Sequence, residues 1–215
     1  MDRTVRNLVL AALCCAAGVA LLALLFYGSS TFAELDARAT ARLLAPEGSG
    51  REAIGQLGAD LAEPVPLVFF YVLLVAFAAA WKRPWQLAGA AVVILGANAT
   101  TQGLKLVTSH PRVQGAFGVE YPIDIHYPSG HTTAALAVGV GLWLIAPPRY
   151  RRPAALAGAA LGAAVGVGVV VAGWHFVSDV VGAALVVGFW ACLVVAALVR
   201  AGHEGRPRSS LSHRR

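Results

Sequence analysis

Charged residues are scarce in this chain of 215 amino acids: only 13% are Asp, Glu, Lys or Arg, whereas 58% are hydrophobic. An ordinary soluble domain is about a quarter charged, so this balance excludes one. A hydrocarbon core roughly 30 Å thick needs about 20 apolar residues per helix. Six such stretches predict an all-α, polytopic membrane protein built as a six-transmembrane-helix bundle, over 7–28, 64–81, 86–108, 130–147, 154–174 and 178–199.

Cysteine is also scarce, and Cys14, Cys15 and Cys192 all fall inside predicted helices. The sequence has no CxxC pair, so neither a disulfide framework nor a cysteine-based metal site is indicated. It also lacks an internal repeat of the length typical of solenoid proteins. The net charge of +6 does not come from a basic stripe interleaved with aromatic residues, so no nucleic-acid partner is expected.

Residues 1–200 are predicted to form one membrane domain, because the apolar stretches leave no room for a separate soluble one. The segment 29–63 predicts either two short amphipathic helices at the outer interface or a simple polar connector. The basic tail 201–215 is predicted to be disordered. Its positive charge would serve either as an orientation signal or as a contact for anionic headgroups. The first apolar run, 8–27, is long for a signal peptide and no clean cleavage site follows it, which favours a retained helix.

The distribution of charge predicts the orientation. If six helices alternate, the short basic loops and both termini fall on one side, which the positive-inside rule assigns to the cytoplasm. The other ends of the helices then face outward, and the small loops favour a bacterial plasma membrane. The basic residues on the cytoplasmic side are Arg3, Arg6, Lys82, Arg83, Arg149, Arg151, Arg152 and the arginines of the tail.

Polar residues collect at the predicted outward end of the third helix. Ionisable groups at membrane depth are costly and usually functional. Helical spacing puts four polar side chains on one face. Because polar groups are costly in lipid, that face must line the interior of the bundle or a water-filled pocket. We expect the Asn and Thr to form interhelical hydrogen bonds and the Lys to have an anionic partner. The four are Asn98, Thr101, Gln102 and Lys105.

A second group of residues follows this helix and opens the next one. Pro111 ends the third helix and Arg112 comes next, with a planar guanidinium that suits phosphate oxygens. Ser129 is a natural N-cap for the fourth helix. Gly130 permits close approach of an anion to the helix N-terminus, and His131 would lie beside that anion.

A third group lies between the fifth and sixth helices. His175 and Asp179 are four residues apart and share a face if the turn is helical. A carboxylate that binds one imidazole nitrogen leaves the other free for nucleophilic attack. The alternative is a capping aspartate beside a histidine with satisfied hydrogen bonds. Two cations, two histidines and a carboxylate at one face predict a site for an anion, most plausibly phosphate.

These motifs resemble those of the membrane type-2 phosphatidic acid phosphatases, also called lipid phosphate phosphatases, and the resemblance covers nearly the whole chain. The first family motif is K-x6-R-P. Lys105 and Arg112 have its spacing, with Val113 in place of the proline. The second motif, P-S-G-H, is complete from Pro128 to His131.

The third family motif is S-R-x5-H-x3-D. His175 and Asp179 match it, but Gly168 and Val169 occupy the Ser-Arg positions. The arginine of the family is a further cation on the phosphate, so its replacement by Val169 is the main departure from the pattern.

The resemblance implies metal-independent hydrolysis of a lipid phosphate or polyprenyl diphosphate at the outer face of the membrane. It implies that His175 attacks phosphorus to form a phosphohistidine, that Asp179 orients it, and that His131 protonates the leaving oxygen. It implies no cofactor, and its partners are a lipid phosphate and the membrane lipids. The phosphoryl oxygens would be held by Lys105, Arg112, Ser129 and Gly130.

Two further interpretations stay open at this point. Because Val169 replaces a cation, the chain could bind or transport a lipid phosphate without turnover. Alternatively, His131, His175 and Asp179 could ligate a catalytic metal, although two neighbouring cations oppose this. Transfer of the phosphoryl group to another lipid would use the same chemistry as hydrolysis. Side chains that could replace the missing cation are Gln102, His110, His126 and Trp174.

Overall fold

The computed structural model describes residues 2–108 and 127–202, and within these ranges all regular structure is helical. Six of the helices coincide with the six predicted apolar stretches. A 3₁₀-helix at Pro148–Tyr150 leads into the seventh α-helix. The α-helices are α1 (Arg3–Gly28), α2 (Ser30–Leu43), α3 (Gly50–Asp60), α4 (Pro64–Ala80), α5 (Pro84–Val107), α6 (Gly130–Ile145), α7 (Arg151–Val171) and α8 (Val177–Arg200).

Several helices begin at a serine cap or at a proline. The hydroxyl of Ser29 accepts a hydrogen bond from the Phe32 N–H at 3.3 Å and starts α2. Ser49 caps α3 in the same way, by accepting from the Glu52 N–H at 3.2 Å. Proline is the first residue of both α4 and α5, where its missing N–H costs no hydrogen bond.

The centre of the bundle is α6, which packs against α4, α5, α7 and α8, while α1 lies along α8. The backbones of α6 and α7 touch at Gly139 and Gly158: a Cβ at Gly139 would lie 2.8 Å from the Gly158 Cα. Large apolar side chains point outward, Leu24 at 71% exposure and Leu106 at 81%. An apolar exterior around a core of small residues is the arrangement that lipid surroundings favour.

The protein is an integral membrane protein, since four of the described helical segments are long and apolar enough to cross a membrane. These are α1, α5, α7 with its 3₁₀ turn, and α8. The pair α3 and α4, bent by 46°, counts as a fifth if taken as one span. The predicted six helices are present, but α6 has only 16 residues and rises about 24 Å, because Pro128 precedes it and Pro147 follows it.

The segment predicted between the first two spans forms two helices, α2 and α3, and both dock onto the bundle. A Cβ at Gly58 would lie 2.6 Å from the Ala164 carbonyl oxygen, and one at Gly168 would lie 2.6 Å from the Gly55 carbonyl oxygen. Glycine alone permits this approach of α3 to α7. The segment is therefore packed against the bundle and is more than a polar connector.

Candidate active site

One end of the bundle brings together the C-terminus of α5, the N-terminus of α6 and the turn between α7 and α8. The Ser129 N–H donates to the Asp179 carbonyl at 3.2 Å, which joins the start of α6 to the first turn of α8. Tyr127 is fully buried, and its hydroxyl donates to the Val19 carbonyl of α1 at 3.1 Å. Its ring packs on the α-carbon of Gly182 in α8. The residue that leads into α6 is therefore held by both α1 and α8.

His175 and Asp179 form a buried pair. Nδ1 of the imidazole lies 3.2 Å from Oδ2 of the carboxylate, and Asp179 is fully buried. The same Oδ2 accepts the Phe176 N–H at 2.9 Å. Because an ionised carboxylate only accepts hydrogen bonds, the proton between the two groups belongs to Nδ1, and Nε2 carries the free lone pair.

The turn that presents His175 is set by backbone hydrogen bonds. Gly173 adopts φ +75 at the end of α7, a left-handed conformation that favours glycine. The Val169 carbonyl then accepts from the N–H groups of Trp174 and His175, at 2.8 and 3.1 Å. Position 169 therefore orients the histidine through its backbone.

The start of α6 is held by a chain of hydroxyl groups. Ser129 is fully buried and its Oγ accepts from the Thr132 N–H at 3.3 Å, as expected of an N-cap. The Thr133 hydroxyl donates to the Ser129 carbonyl at 2.7 Å and lies 3.0 Å from the Thr101 hydroxyl of α5. Thr101 thus makes the expected interhelical contact. Asn98 instead donates to the Ile94 carbonyl within α5, at 2.8 Å.

Lys105 lies directly against the first residue of α6. A Cβ at Gly130 would stand 3.2 Å from the Lys105 Nζ and 3.8 Å from the Gln102 Nε2. The charge of Asp179 also acts on the Lys105 ammonium. The ammonium and the N–H groups of the first helical turn therefore produce positive potential at one point, where an anion is favoured.

His131 faces a carboxylate that the sequence did not single out. Its Nε2 lies 3.4 Å from the Glu63 Oε1, and its ring centroid lies 5.2 Å from that of Trp174. The charge of Lys105 also acts on this imidazole. Glu63 is the N-cap residue of α4 and stands 68 positions from His131, so no local spacing connects the two.

Val169 offers this site neither a charge nor a side-chain hydrogen bond. It is fully buried in an apolar cluster between α3, α6 and α7. The docked helix α3 thus covers the position at which the resemblance places an arginine. The other buried members of the cluster are Ala59, Ala62, Ala135, Val165 and Val170.

The structure brings six of the seven predicted site residues to one end of the bundle. Arg112 lies outside the described residues, as do His110 and His126. Within 2–108 and 127–202, no group of three or more His, Cys, Asp and Glu is arranged to hold a metal ion. The six residues that converge are Lys105, Ser129, Gly130, His131, His175 and Asp179.

Residues 86–202, more than half of the chain, match the model of the PAP2 superfamily. Among solved structures, the chain is similar to the first transmembrane PAP2 type phosphatidylglycerolphosphate phosphatase from Bacillus subtilis. The two are 19% identical with a TM-score of 0.45, over 93% of this chain and 98% of that chain. No curated protein matches the chain.

Proposed function

The chain belongs to the PAP2 superfamily, and from this premise we propose that it is a metal-independent lipid phosphatase that acts through a phosphohistidine intermediate. The observation that carries the proposal is the buried His175–Asp179 pair, 3.2 Å apart. The pair adjoins the N-terminus of α6, against which Lys105 lies. This arrangement supports a nucleophile at His175 next to an anion site at the N-terminus of α6.

In the first step, the His175 Nε2 attacks phosphorus and the bond from phosphorus to the ester oxygen of the lipid breaks. His131 donates a proton to the leaving oxygen, so the lipid departs as an alcohol, or as a monophosphate if the substrate is a diphosphate. The Asp179 carboxylate stabilises the positive charge that develops on the imidazole, as in other nucleophile pairs with an orienting acid.

In the second step, water attacks the phosphohistidine and its proton passes to His131. The bond between Nε2 and phosphorus breaks and inorganic phosphate leaves. Phosphoryl transfer depends mostly on positioning and on compensation of charge. These tasks fall to the Lys105 ammonium, the Gly130 N–H, the Ser129 hydroxyl and the Arg112 guanidinium.

The valine at position 169 removes one positive charge from the family pattern. Loss of one such donor costs on the order of 10²–10³ in rate, or about 3–4 kcal/mol. Enzymes accelerate reactions by about 10⁶ or more, so the loss weakens catalysis without abolishing it. We therefore propose turnover for this chain, at a rate below that of a member with all three cations.

The test is a panel of lipid phosphates in detergent, with chelator present and release of inorganic phosphate as the readout. The panel contains phosphatidic acid, phosphatidylglycerophosphate and a polyprenyl diphosphate. We expect release from at least one lipid by the wild type and none by His175→Ala. Product analysis separates hydrolysis from transfer to a second lipid. Equal phosphate release by the wild type and His175→Ala contradicts the proposal.

A protein that binds a lipid phosphate without turnover is the second candidate, favoured by the enclosed Val169. It predicts saturable binding of the lipid phosphate and no release of inorganic phosphate from any member of the panel. Measurable turnover by the unmodified chain excludes it.

A further inference from the structure

The first turn of α8, which joins the two members of the His175–Asp179 pair, is capped by side chains from α2. The Ser178 N–H donates to the Asp36 Oδ1 at 3.0 Å, and the Ser178 hydroxyl donates to the Asp36 Oδ2 at 2.6 Å. The Val177 N–H donates to the Thr40 hydroxyl at 3.2 Å. These contacts cross more than 130 positions in the chain and are buried, with Asp36 at 7% exposure and Thr40 at 0%.

A helix normally caps its own N-terminus with a local side chain. Phe176 occupies the N-cap position of α8, and its side chain has no acceptor atom. The donors at the start of α8 are instead satisfied by Asp179, Thr40 and Asp36, the last two belonging to α2. Burying a carboxylate costs free energy unless it is hydrogen-bonded, and both oxygens of Asp36 accept from Ser178.

Apolar contacts hold the same turn to α1 and α2. The Phe176 ring packs edge-on against Phe26 of α1, with centroids 6.0 Å apart, and clusters with Ala37 of α2. Phe176, Val177 and Ser178 are the three residues between His175 and Asp179. The distance between the imidazole and its carboxylate therefore depends on a turn that α2 holds from outside.

We propose that Asp36, assisted by Thr40, is a positioning residue of the active site. It fixes the first turn of α8 so that Asp179 holds the His175 imidazole with Nε2 free. Both carboxylate oxygens of Asp36 bind Ser178, so Asp36 acts through this turn as a positioning residue. This inference rests on the proposed function. It assigns α2 the role of holding the first turn of α8 in the position that catalysis requires.

The experiment compares steady-state kinetics of four variants in detergent with the best lipid phosphate of the panel. A misplacement of about 1 Å costs on the order of 100-fold in rate, so Asp36→Ala is expected to lower kcat about 100-fold with an unchanged KM. Asp36→Asn keeps an acceptor for the Ser178 N–H and recovers most of that loss. Thr40→Val, which keeps the shape and removes the acceptor, lowers kcat to a smaller extent.

The matched control is Glu34→Gln, which removes a carboxylate from the exposed face of the same helix, where Glu34 pairs with Arg38 at 3.1 Å. It is expected to keep the wild-type kcat. A wild-type kcat in Asp36→Ala, an equal loss in Asp36→Ala and Asp36→Asn, or a rise in KM alone overturns the proposal. If Asp36→Ala does not fold, Thr40→Val decides: a lower kcat at constant KM supports the inference, and a wild-type kcat overturns it.

A second readout does not depend on turnover. The proton on the His175 Nδ1, assigned by its loss in His175→Ala, reports the hydrogen bond to Asp179 by NMR. This resonance is expected to shift or vanish in Asp36→Ala, or in Thr40→Val if Asp36→Ala does not fold, and to stay in place in Glu34→Gln. If the wild type releases no phosphate, the proposed function fails. The resonance then decides the inference alone, and an unchanged signal in Asp36→Ala, or in Thr40→Val if Asp36→Ala does not fold, overturns it.

Discussion

At the scale of single residues, the proposed reaction requires a proton at the leaving oxygen, and we propose His131 as its donor. General acid catalysis contributes about 10²–10⁴ in rate, so His131→Ala is expected to lose that factor on an alkyl lipid phosphate. An aryl phosphate leaves without protonation, so the variant should lose far less on p-nitrophenyl phosphate. The measurement is the ratio of kcat values for the two substrates in the wild type and the variant. Equal losses on both would show that His131 is not the acid.

Glu63 is expected to support that acid. Its carboxylate lies 3.4 Å from the His131 Nε2 and is half exposed. Glu63→Gln keeps the size of the side chain and removes its charge. On alkyl substrates, we expect Glu63→Gln to lower kcat by a factor smaller than the roughly 10²–10⁴ expected for His131→Ala. On the aryl substrate we expect no reduction in kcat. A loss on both substrates would assign Glu63 to packing of the α3–α4 turn.

The absence of a side chain at Gly130 gives the Lys105 ammonium room to lie against the start of α6. A methyl group there stands 3.2 Å from Nζ, so Gly130→Ala is expected to displace the ammonium by a few tenths of an ångström. The loss in kcat/KM should be about tenfold, below the roughly 10²–10³ for complete removal of a donor. The control is Gly103→Ala on α5, where a Cβ meets nothing within 4 Å. A wild-type kcat/KM in Gly130→Ala would contradict contact between Lys105 and the substrate.

At the scale of helices, α3 packs against position 169, whose side chain is fully buried among apolar residues. Val169→Arg would bury a charge in an apolar cluster, which costs several kcal/mol without a partner. We expect a lower thermal unfolding temperature in detergent and no gain in phosphatase activity. Val169→Met, which adds length without charge, should destabilise the protein less. A rise in kcat for Val169→Arg would show that the guanidinium reaches the phosphate.

The positions of the helices were the feature that the sequence predicted best. The apolar stretches gave each of six helices to within a few residues, because a hydrophobic run between proline, glycine and capping residues has few alternatives. The spacing of His175 and Asp179 predicted their contact on condition of a helical turn; the two do meet, although His175 lies before the N-cap of α8. Asp36 and Glu63 were not found, since their partners are 142 and 68 positions away and contacts at such separations leave no periodic signal.

Helix packing was less predictable than helix position. The docking of α3 depends on Gly55, Gly58 and Gly168 meeting without Cβ atoms, and glycine alone does not reveal which backbone it touches. The shortness of α6 was also missed. Its flanking prolines limit the helix to 16 residues. Hydropathy identifies the apolar run but does not show where the helix ends.

At the scale of the whole molecule, the basic loops and the candidate site lie at opposite ends of the bundle. Lys82, Arg83 and Arg149 are in the turns that precede α5 and α7, and the site is where α5 ends. By the positive-inside rule, we propose that both termini are cytoplasmic and that the site faces outward. A green fluorescent protein fused to the C-terminus should fluoresce, and alkaline phosphatase at the same position should be inactive. The opposite pair of results would invert the orientation.

The amide of Ser129 and the carbonyl of Asp179 form a direct hydrogen bond between two helices, and that hydrogen bond has an evolutionary consequence. The turn proposed to bind the headgroup and the turn proposed to carry the nucleophile are joined as one unit. Lipid-facing side chains on the surrounding helices can then be exchanged to suit a longer, shorter or branched hydrocarbon without disturbing the chemistry. Descendants of one ancestral catalyst can in this way come to serve different membranes.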